Sequence, residues 1–321
     1  MRRRVVLGAA VLGAAFGSIT RTALAFPENR PLTIVVGVPP GGAVDVLARL
    51  LAARLATQLG QSVVVVNRPG GSFAVSVNAI RGARPDGHTL LFANGGYAVV
   101  SALPRAGFDI AADFAPIASV ATGPLILIAR RDLQGDLAAV LRQARDNPGK
   151  LTFGSGGVGT LFHLAGELFL KQNDVRMLHV PYTGSGPAYQ DMLAGRLDLM
   201  FDTTAAVVGQ INGGQLRGIA VATARRLEVL PAIPTFAESG LPGFDPSQWF
   251  GLLAPAGTAP EIVARLAAEV AIAMAQPEMR ERLAAQGNLA AAAGPEAFQD
   301  MLRRTVARWR EVIRDAKLDL N

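Results

Sequence analysis

A chain of 321 residues is long enough for two domains, and a composition half hydrophobic but only 6% aromatic suits helices laid closely on sheets, an α/β class. The absence of cysteine excludes disulfides, a thiolate nucleophile and a Cys-ligated metal. A formal charge of +6 does not point to nucleic acid, because the basic residues are scattered, densest over 303–314, and aromatic residues are not interleaved among them as base stacking requires.

The first 25 residues, MRRRVVLGAAVLGAAFGSITRTALA, join an arginine n-region to an apolar stretch and a small-x-small end, which predicts a signal peptide cleaved after Ala25. An uncleaved membrane anchor is the alternative, disfavoured by the shortness of the stretch and its glycines. Arg3 and Arg4 point only weakly to the twin-arginine route. Cleavage removes Arg2, Arg3, Arg4 and Arg21 and leaves 27 basic against 25 acidic residues, a net charge of +2. The longest later apolar stretch, Phe114 to Ala129, is broken by Pro116 and Pro124, so the mature chain is expected to be soluble.

Strands are predicted at 32–38 and 63–66, with a helix at 44–59 between them that repeats apolar residues through Val44, Leu47, Leu51 and Leu55. Strand, helix and strand in this span form a βαβ unit with a right-handed crossover. A Gly-rich turn at 69–72, a helix at 73–83, the turn RPDG and a strand at 88–94 follow. Residues 115–129 read as two strands meeting at Gly123-Pro124, a candidate hinge. The theme then restarts: helix 136–146, strand LTFGS, a glycine loop, helix 161–172, strand VRMLHVPY, the loop TGSG, helix 187–194 and strand LDLMFD. Four prolines make 227–246 linker-like; WFGLLAPAG is strand-like, and helices at 259–275 and 295–315 close the chain. In TAPE, Thr258 is expected to cap the first of these, with Pro260 in its first turn and Glu261 on its dipole.

Each half thus carries a strand, a glycine loop and a helix start: VGVPPGGAVD in one, FGSGGVGTLFH in the other. Gly41 and Gly42 leave backbone N–H groups uncovered where the helix dipole is positive, which favours an anion such as a carboxylate; equally, they make a tight turn with Asp45 serving its own helix terminus. Gly154, Gly156 and Gly159 spell G-x-G-x-x-G with Asp174 following, which raises a dinucleotide site; Asp174 precedes the next strand instead of ending it, so an anion loop with Ser155 and Thr160 as hydroxyl donors is the better reading. His88, His163 and His179 lack metal-helix spacing and each reads as structural, with His163 the exception because it follows the second loop. Asp202, at a strand exit, reads either as a solvated strand end or as an acceptor for a ligand or an ordered water; Tyr182 and Ser185 flank a third glycine turn. No hydrolase elbow and no phosphate-loop motif occurs, and no cofactor or metal is expected.

The segments PPGGAVDVLARLLAARLATQLGQSVVVVNRPGG, RPDGHTLLFAN, NPGKLTFGSGGVGTLFHLAGELF, VPYTGSGPA, GRLDLMFD, LPAIPTFAESGLPGF and WFGLLAPAGTAPEIVARL, in this order, closely resemble the substrate-binding proteins of the tripartite tricarboxylate transporter family, also called Bug receptors. The resemblance implies a type II periplasmic-binding-protein fold, two α/β domains joined by two crossing strands in a Venus flytrap. Domain 1 would comprise 26–124 plus 250–321 and domain 2 residues 125–249, with the crossings near 120–128 and 248–255. It implies a monomeric, non-enzymatic periplasmic receptor for a mono- or dicarboxylate, serving a permease or a sensor; an enzyme using the same cleft, hydrolytic or nucleotide-dependent, is the alternative. Carried over residue by residue, the first loop is Pro39, Pro40, Gly41, Gly42 and Asp45. The facing loop is Ser155, Gly156, Gly157, Val158, Gly159 and Thr160 with His163 behind, and Asp202 lies at the far end of the cleft. Tyr182, Ser185 and Asn94 complete the expected ligand set. Two departures stand out: Val38 replaces an aromatic residue, and NRPGGSFAVSV puts Ser72 and Phe73 after Gly70 and Gly71, so Val38, Ser72 and Phe73 are expected to set which ligand fits, with Gly71 also in the expected ligand set.

Overall fold

The structure is a computed structural model that describes residues 26, 30–104, 106–246, 248–285 and 287–316; the predicted signal peptide lies outside them. The first half runs β1 (Leu32–Val36), α1 (Ala43–Leu59), β2 (Val63–Asn67), α2 (Ala74–Arg81), β3 (Thr89–Asn94), α3 (Gly95–Ser101) and β4 (Phe114–Gly123). The second runs β5 (Leu125–Arg130), α4 (Leu137–Asp146), β6 (Thr152–Ser155), α5 (Leu161–Asn173), β7 (Leu178–Pro181), α6 (Ser185–Leu193), β8 (Leu199–Thr203), α7 (Thr204–Asn212) and β9 (Leu216–Val221). The chain then returns through β10 (Gln248–Pro255), α8 (Pro260–Ala275), α9 (Pro277–Ala285), β11 (Leu289–Ala290) and α10 (Pro295–Asp315).

Two sheets result, in the strand orders β11-β4-β10-β3-β1-β2 and β7-β6-β8-β5-β9. The expected βαβ unit is present: β1 pairs in parallel with β2 and with β3. Helix α1 starts at an extended Gly42 and ends at a left-handed Gly60, whose N–H donates to the Ala56 carbonyl. Its buried Leu47, Leu51 and Leu55 share a core with Ile34, Val36, Leu90 and Phe92, and burying each leucine contributes about 1.5–3 kcal/mol. Helix α10 buries Phe298, Leu302, Val306 and Trp309, and Lys171 on α5 pairs with its Glu311 and Asp315, tying the last helix to the second half.

The strand pairing decides which ends of the two sheets meet. β3 and β4 both run antiparallel to β10, so the ends of β1, β3 and β4 lie at the Gly123-Pro124 junction. Beyond it Leu125 pairs with Thr203, which brings the end of β8, and with it that of its parallel neighbour β6, to the same junction. The carboxyl ends of the parallel strands in the two halves therefore lie on either side of this junction, and it is at such strand ends that open α/β sheets bind ligands. The return crossing reaches the first sheet at Gln248, opposite Gly123.

Five elements escaped the reading from sequence: α3, α7, β9, α9 and β11. The sequence of α3, GGYAVVS, has poor helix formers; it is helical because Asn94 caps it and Tyr97, Ala98 and Val99 are buried. β11 has two residues and exists through its pairing with β4. Thr258 does not cap α8. Its hydroxyl turns back to the Pro255 carbonyl at 2.8 Å, and Ala259 occupies the cap position before Pro260 and Glu261.

Candidate functional site

The loop after β1 is held from behind by Asp45. Its carboxylate accepts the Gly41 N–H at 2.9 Å, Arg49 Nε at 3.0 Å and Asn67 Nδ2 at 2.9 Å, while Asn67 also donates to the Val38 carbonyl at 3.0 Å. Asp45, expected from the sequence among the ligand contacts, is buried, and both its oxygens are engaged by these partners in bracing the loop. The Arg49 guanidinium, with Gly41 and Asn67 assisting against burial, lowers its pKa to about 2. Pro39, Pro40, Gly41 and Gly42 stay exposed. With the Gly41 N–H used by Asp45, the amides left uncommitted among the described residues are those of Gly42 and the first turn of α1.

The altered stretch 70–73 is left-handed throughout: φ is 122° at Gly70, 54° at Gly71, 48° at Ser72 and 73° at Phe73. Non-glycine residues rarely adopt this conformation. Phe73 is held there by its ring, which stacks on Tyr97 with centroids 4.0 Å apart. Tyr97 is buried, its hydroxyl 2.7 Å from Ser76 Oγ, and a methyl group placed on Gly37 would lie 2.1 Å from that hydroxyl and 3.0 Å from the Phe73 ring. Phe73 thus fills the space behind the first loop, and one face of its ring is already covered. Asn94 accepts the Gly96 N–H at 3.2 Å and caps α3.

In the second loop every polar side chain is spent on the loop itself. Ser155 Oγ lies 3.0 Å from the Gly157 carbonyl, 3.2 Å from the Gly157 amide and 2.8 Å from His179 Nε2. The Thr160 hydroxyl donates to the Gly157 carbonyl at 2.8 Å and caps α5 by accepting from His163 N. The Gly159 N–H donates to His163 Nδ1 at 3.0 Å. The hydroxyls of Ser155 and Thr160, read from the sequence as donors to an anion, are engaged in shaping a loop whose uncommitted amides, among the described residues, are those of Gly156, Val158, Leu161 and Phe162. The Ser155–His179 contact pairs a hydroxyl with an imidazole, and Ser155 is fully buried. Asp174 sits at the far end of α5, away from the loop, as expected against a dinucleotide.

The third turn joins the second: a methyl on Gly156 would lie 3.5 Å from Gly184 and 3.6 Å from Ser185 N. The Tyr182 hydroxyl donates to Asp191 at 2.9 Å, while its backbone borders the loop, the N–H donating to the Ser155 carbonyl at 3.0 Å and the carbonyl lying near Gly157. Asp202 is buried and accepts the Tyr189 hydroxyl at 2.6 Å and the Thr203 N–H at 2.6 Å, with Ser185 also bonded to it; burial nonetheless raises its pKa. A raised carboxyl contributes stability that is present below the unfolded value and lost as pH rises, so charged Asp202 is a burden at neutral pH. Asp202→Asn is expected to gain stability relative to the parent as pH rises from 4 to 7, whereas Asp202→Ala, which strands Tyr189, loses about 1–3 kcal/mol at both; thermal melts across this range check both.

The structure thus brings Val38 to Gly42 and Phe73 to one side of the Gly123-Pro124 junction, and Ser155 to His163, Ser185 and Asp202 to the other. At the floor, a methyl on Gly95 would lie 3.7 Å from the Leu161 side chain and from the Gln248 backbone. Two sets of helix-start amides, with exposed Gly41 and Gly42 beside one and half-buried Gly156, Gly157 and Gly159 beside the other, suit an oxyanion on each side. A cavity of about 620 Å³ lies elsewhere, lined by Leu227, Met274, Gly287, Leu289 and neighbours; neither the 39–42 nor the 155–160 loop contributes to its lining. Reading the sequence missed Arg49, Asn67, Tyr97 and Tyr189; only Arg49, one helical turn from Asp45, carried a local signal.

The chain matches the tripartite tricarboxylate transporter family receptor model over residues 47–318. A UPF0065 protein from a Pseudomonas species is 39% identical over 100% of this chain and 96% of its own length, and BugT of Bordetella pertussis is 34% identical over 89% of each. Among solved structures, MatC from Rhodopseudomonas palustris with bound malate is 32% identical over 90% of this chain and 100% of its own, with a TM-score of 0.71. An R. palustris protein with adipate is 34% identical over 91% and 98%, at 0.75. A solute-binding protein from Polaromonas is 28% identical over 90% and 99%, at 0.81. The fold is accordingly the two-domain periplasmic-binding-protein flytrap, and the chain belongs to the receptor family of tripartite tricarboxylate transporters.

Proposed function

We propose that this receptor captures a small organic carboxylate between its two sheets and delivers it to a membrane permease or a sensor. The observation that carries the reading is the pair of facing loops in which side chains are spent internally and backbone amides are left for an anion. Relatives with malate and with adipate support the carboxylate class. In this reading the protein works in the periplasm after cleavage behind Ala25. Residues 26–124 with 250–321, and 125–249, turn about Gly123-Pro124 and the return at Gln248, ligand stabilising the closed form by touching both. Asp45, Asn94, Ser155, Thr160 and Asp202 act on the ligand indirectly, by holding the backbone that does.

A thermal-shift screen of the mature protein against malate, adipate, other dicarboxylates, amino acids and aromatic acids tests this. At a ligand concentration 100 times Kd, stabilisation of about 2.7 kcal/mol is expected, with a smaller radius of gyration by X-ray scattering and the ligand recovered unchanged. Turnover of the bound acid, or stabilisation by NAD and by no organic acid, would overturn it.

A further inference from the structure

We infer that His163 and His179 are positioning residues, a stacked imidazole pair that fixes the shape of the 155–160 loop through specific ring nitrogens. The inference rests on reading that loop as the carboxylate loop. The two rings come from different elements, α5 and β7, and lie nearly parallel with centroids 3.8 Å apart; Phe153 continues the stack 4.8 Å from His179. Packing alone would be served by two phenylalanines. What sets these residues apart is that each aims one nitrogen at the same loop.

His163 Nδ1 accepts the Gly159 N–H, so its proton is on Nε2, which faces Glu167 at 3.5 Å. His179 Nε2 meets Ser155 Oγ, and Ser155 in turn holds both the amide and the carbonyl of Gly157. The two glycines held in this way have φ of 136° and 76°, a backbone that no local side-chain preference maintains. Turning the Gly157 and Gly159 amides inward is what leaves those of Gly156 and Val158 for a ligand. The His179 ring acts as a neutral group: burial, and then the neighbouring His163, lower its pKa to about 4.

Asparagine reaches the place of an imidazole Nδ1 and glutamine that of Nε2, so the two positions should accept opposite substitutes. With adipate as the probe in calorimetry, His163→Asn and His179→Gln are expected to keep affinity within about threefold of the parent, while His163→Gln and His179→Asn weaken it about 10- to 100-fold. In ligand-free protein, His163→Gln should speed exchange of the Gly159 amide and His163→Asn should not. A role in packing alone predicts that glutamine, nearer histidine in volume, is the better substitute at both positions; that ranking, or equal effects, overturns the inference. The tautomer adds a test needing no variant: ring nitrogen shifts must show His163 protonated on Nε2, and an Nδ1–H form overturns the brace. Failure of the parent to bind adipate or any other organic acid would overturn the carboxylate reading, while amide exchange and the tautomer still decide the brace.

Discussion

Gly157→Val is expected to lower affinity for a bound carboxylate by about 100-fold, roughly 2.7 kcal/mol, while lowering the melting temperature by only a few degrees. The residue has φ of 136°, which a β-branched side chain does not adopt, and a methyl there would sit 3.4 Å from the Tyr182 carbonyl and 3.7 Å from Thr160. Relief requires the loop to re-form, which breaks the bonds from Ser155 and Thr160 to Gly157 together. The misplaced amides would cost two or more hydrogen bonds to a charged group, each worth about 1.5–3 kcal/mol. The fold itself is little affected because the loop lies at the cleft surface and the core beneath it is untouched. Gly41→Val should act in the same direction by strain alone, since φ is 93° but a methyl there meets nothing within 4 Å. Titration calorimetry with adipate or malate, alongside thermal melts, checks both; unchanged affinity in both variants would count against the clamp.

Asp45→Ala should cost about 2–3 kcal/mol of stability and, by releasing Pro39 to Gly42, at least about tenfold in affinity. It removes the acceptor shared by Gly41, Arg49 and Asn67 in a buried position, so three donors lose one partner. The pH dependence has a definite sign. With its pKa lowered to about 2, the carboxylate contributes stability present above its unfolded value and lost as pH falls through about 2. The parent and the Ala variant should therefore differ most above pH 4 and converge in strong acid. Denaturant melts at pH 7 and at pH 2 measure this, and a constant gap would show that Asp45 is not the anchor of the loop.

The helical repeat of Val44, Leu47, Leu51 and Leu55 and the β-branched runs around it made the first βαβ unit legible, because periodicity reports directly which face is buried. Glycines between strand and helix likewise marked both loops, since positive φ and bare amides are backbone properties that a sequence writes openly. The Gly123-Pro124 break marked the passage from one sheet to the other. Elements such as α3 and β11 were not legible, for their residues have no strong preference and take their conformation from Asn94, Tyr97 and β4.

The same division runs through the site. By itself the sequence determined where the chain places bare glycine backbone between a strand and a helix start: Pro39 to Gly42 and Gly156 to Gly159. Only the tertiary structure decided what the polar side chains there do, because hydrogen bonding is settled by three-dimensional neighbours. Asp45, Ser155, Thr160 and Asp202 look like ligand contacts in one dimension, yet their partners are Asn67, His179, Gly157 and Tyr189, up to 24 residues away in sequence. A buried polar group must be satisfied wherever its partner happens to fold, and a local motif does not record that partner.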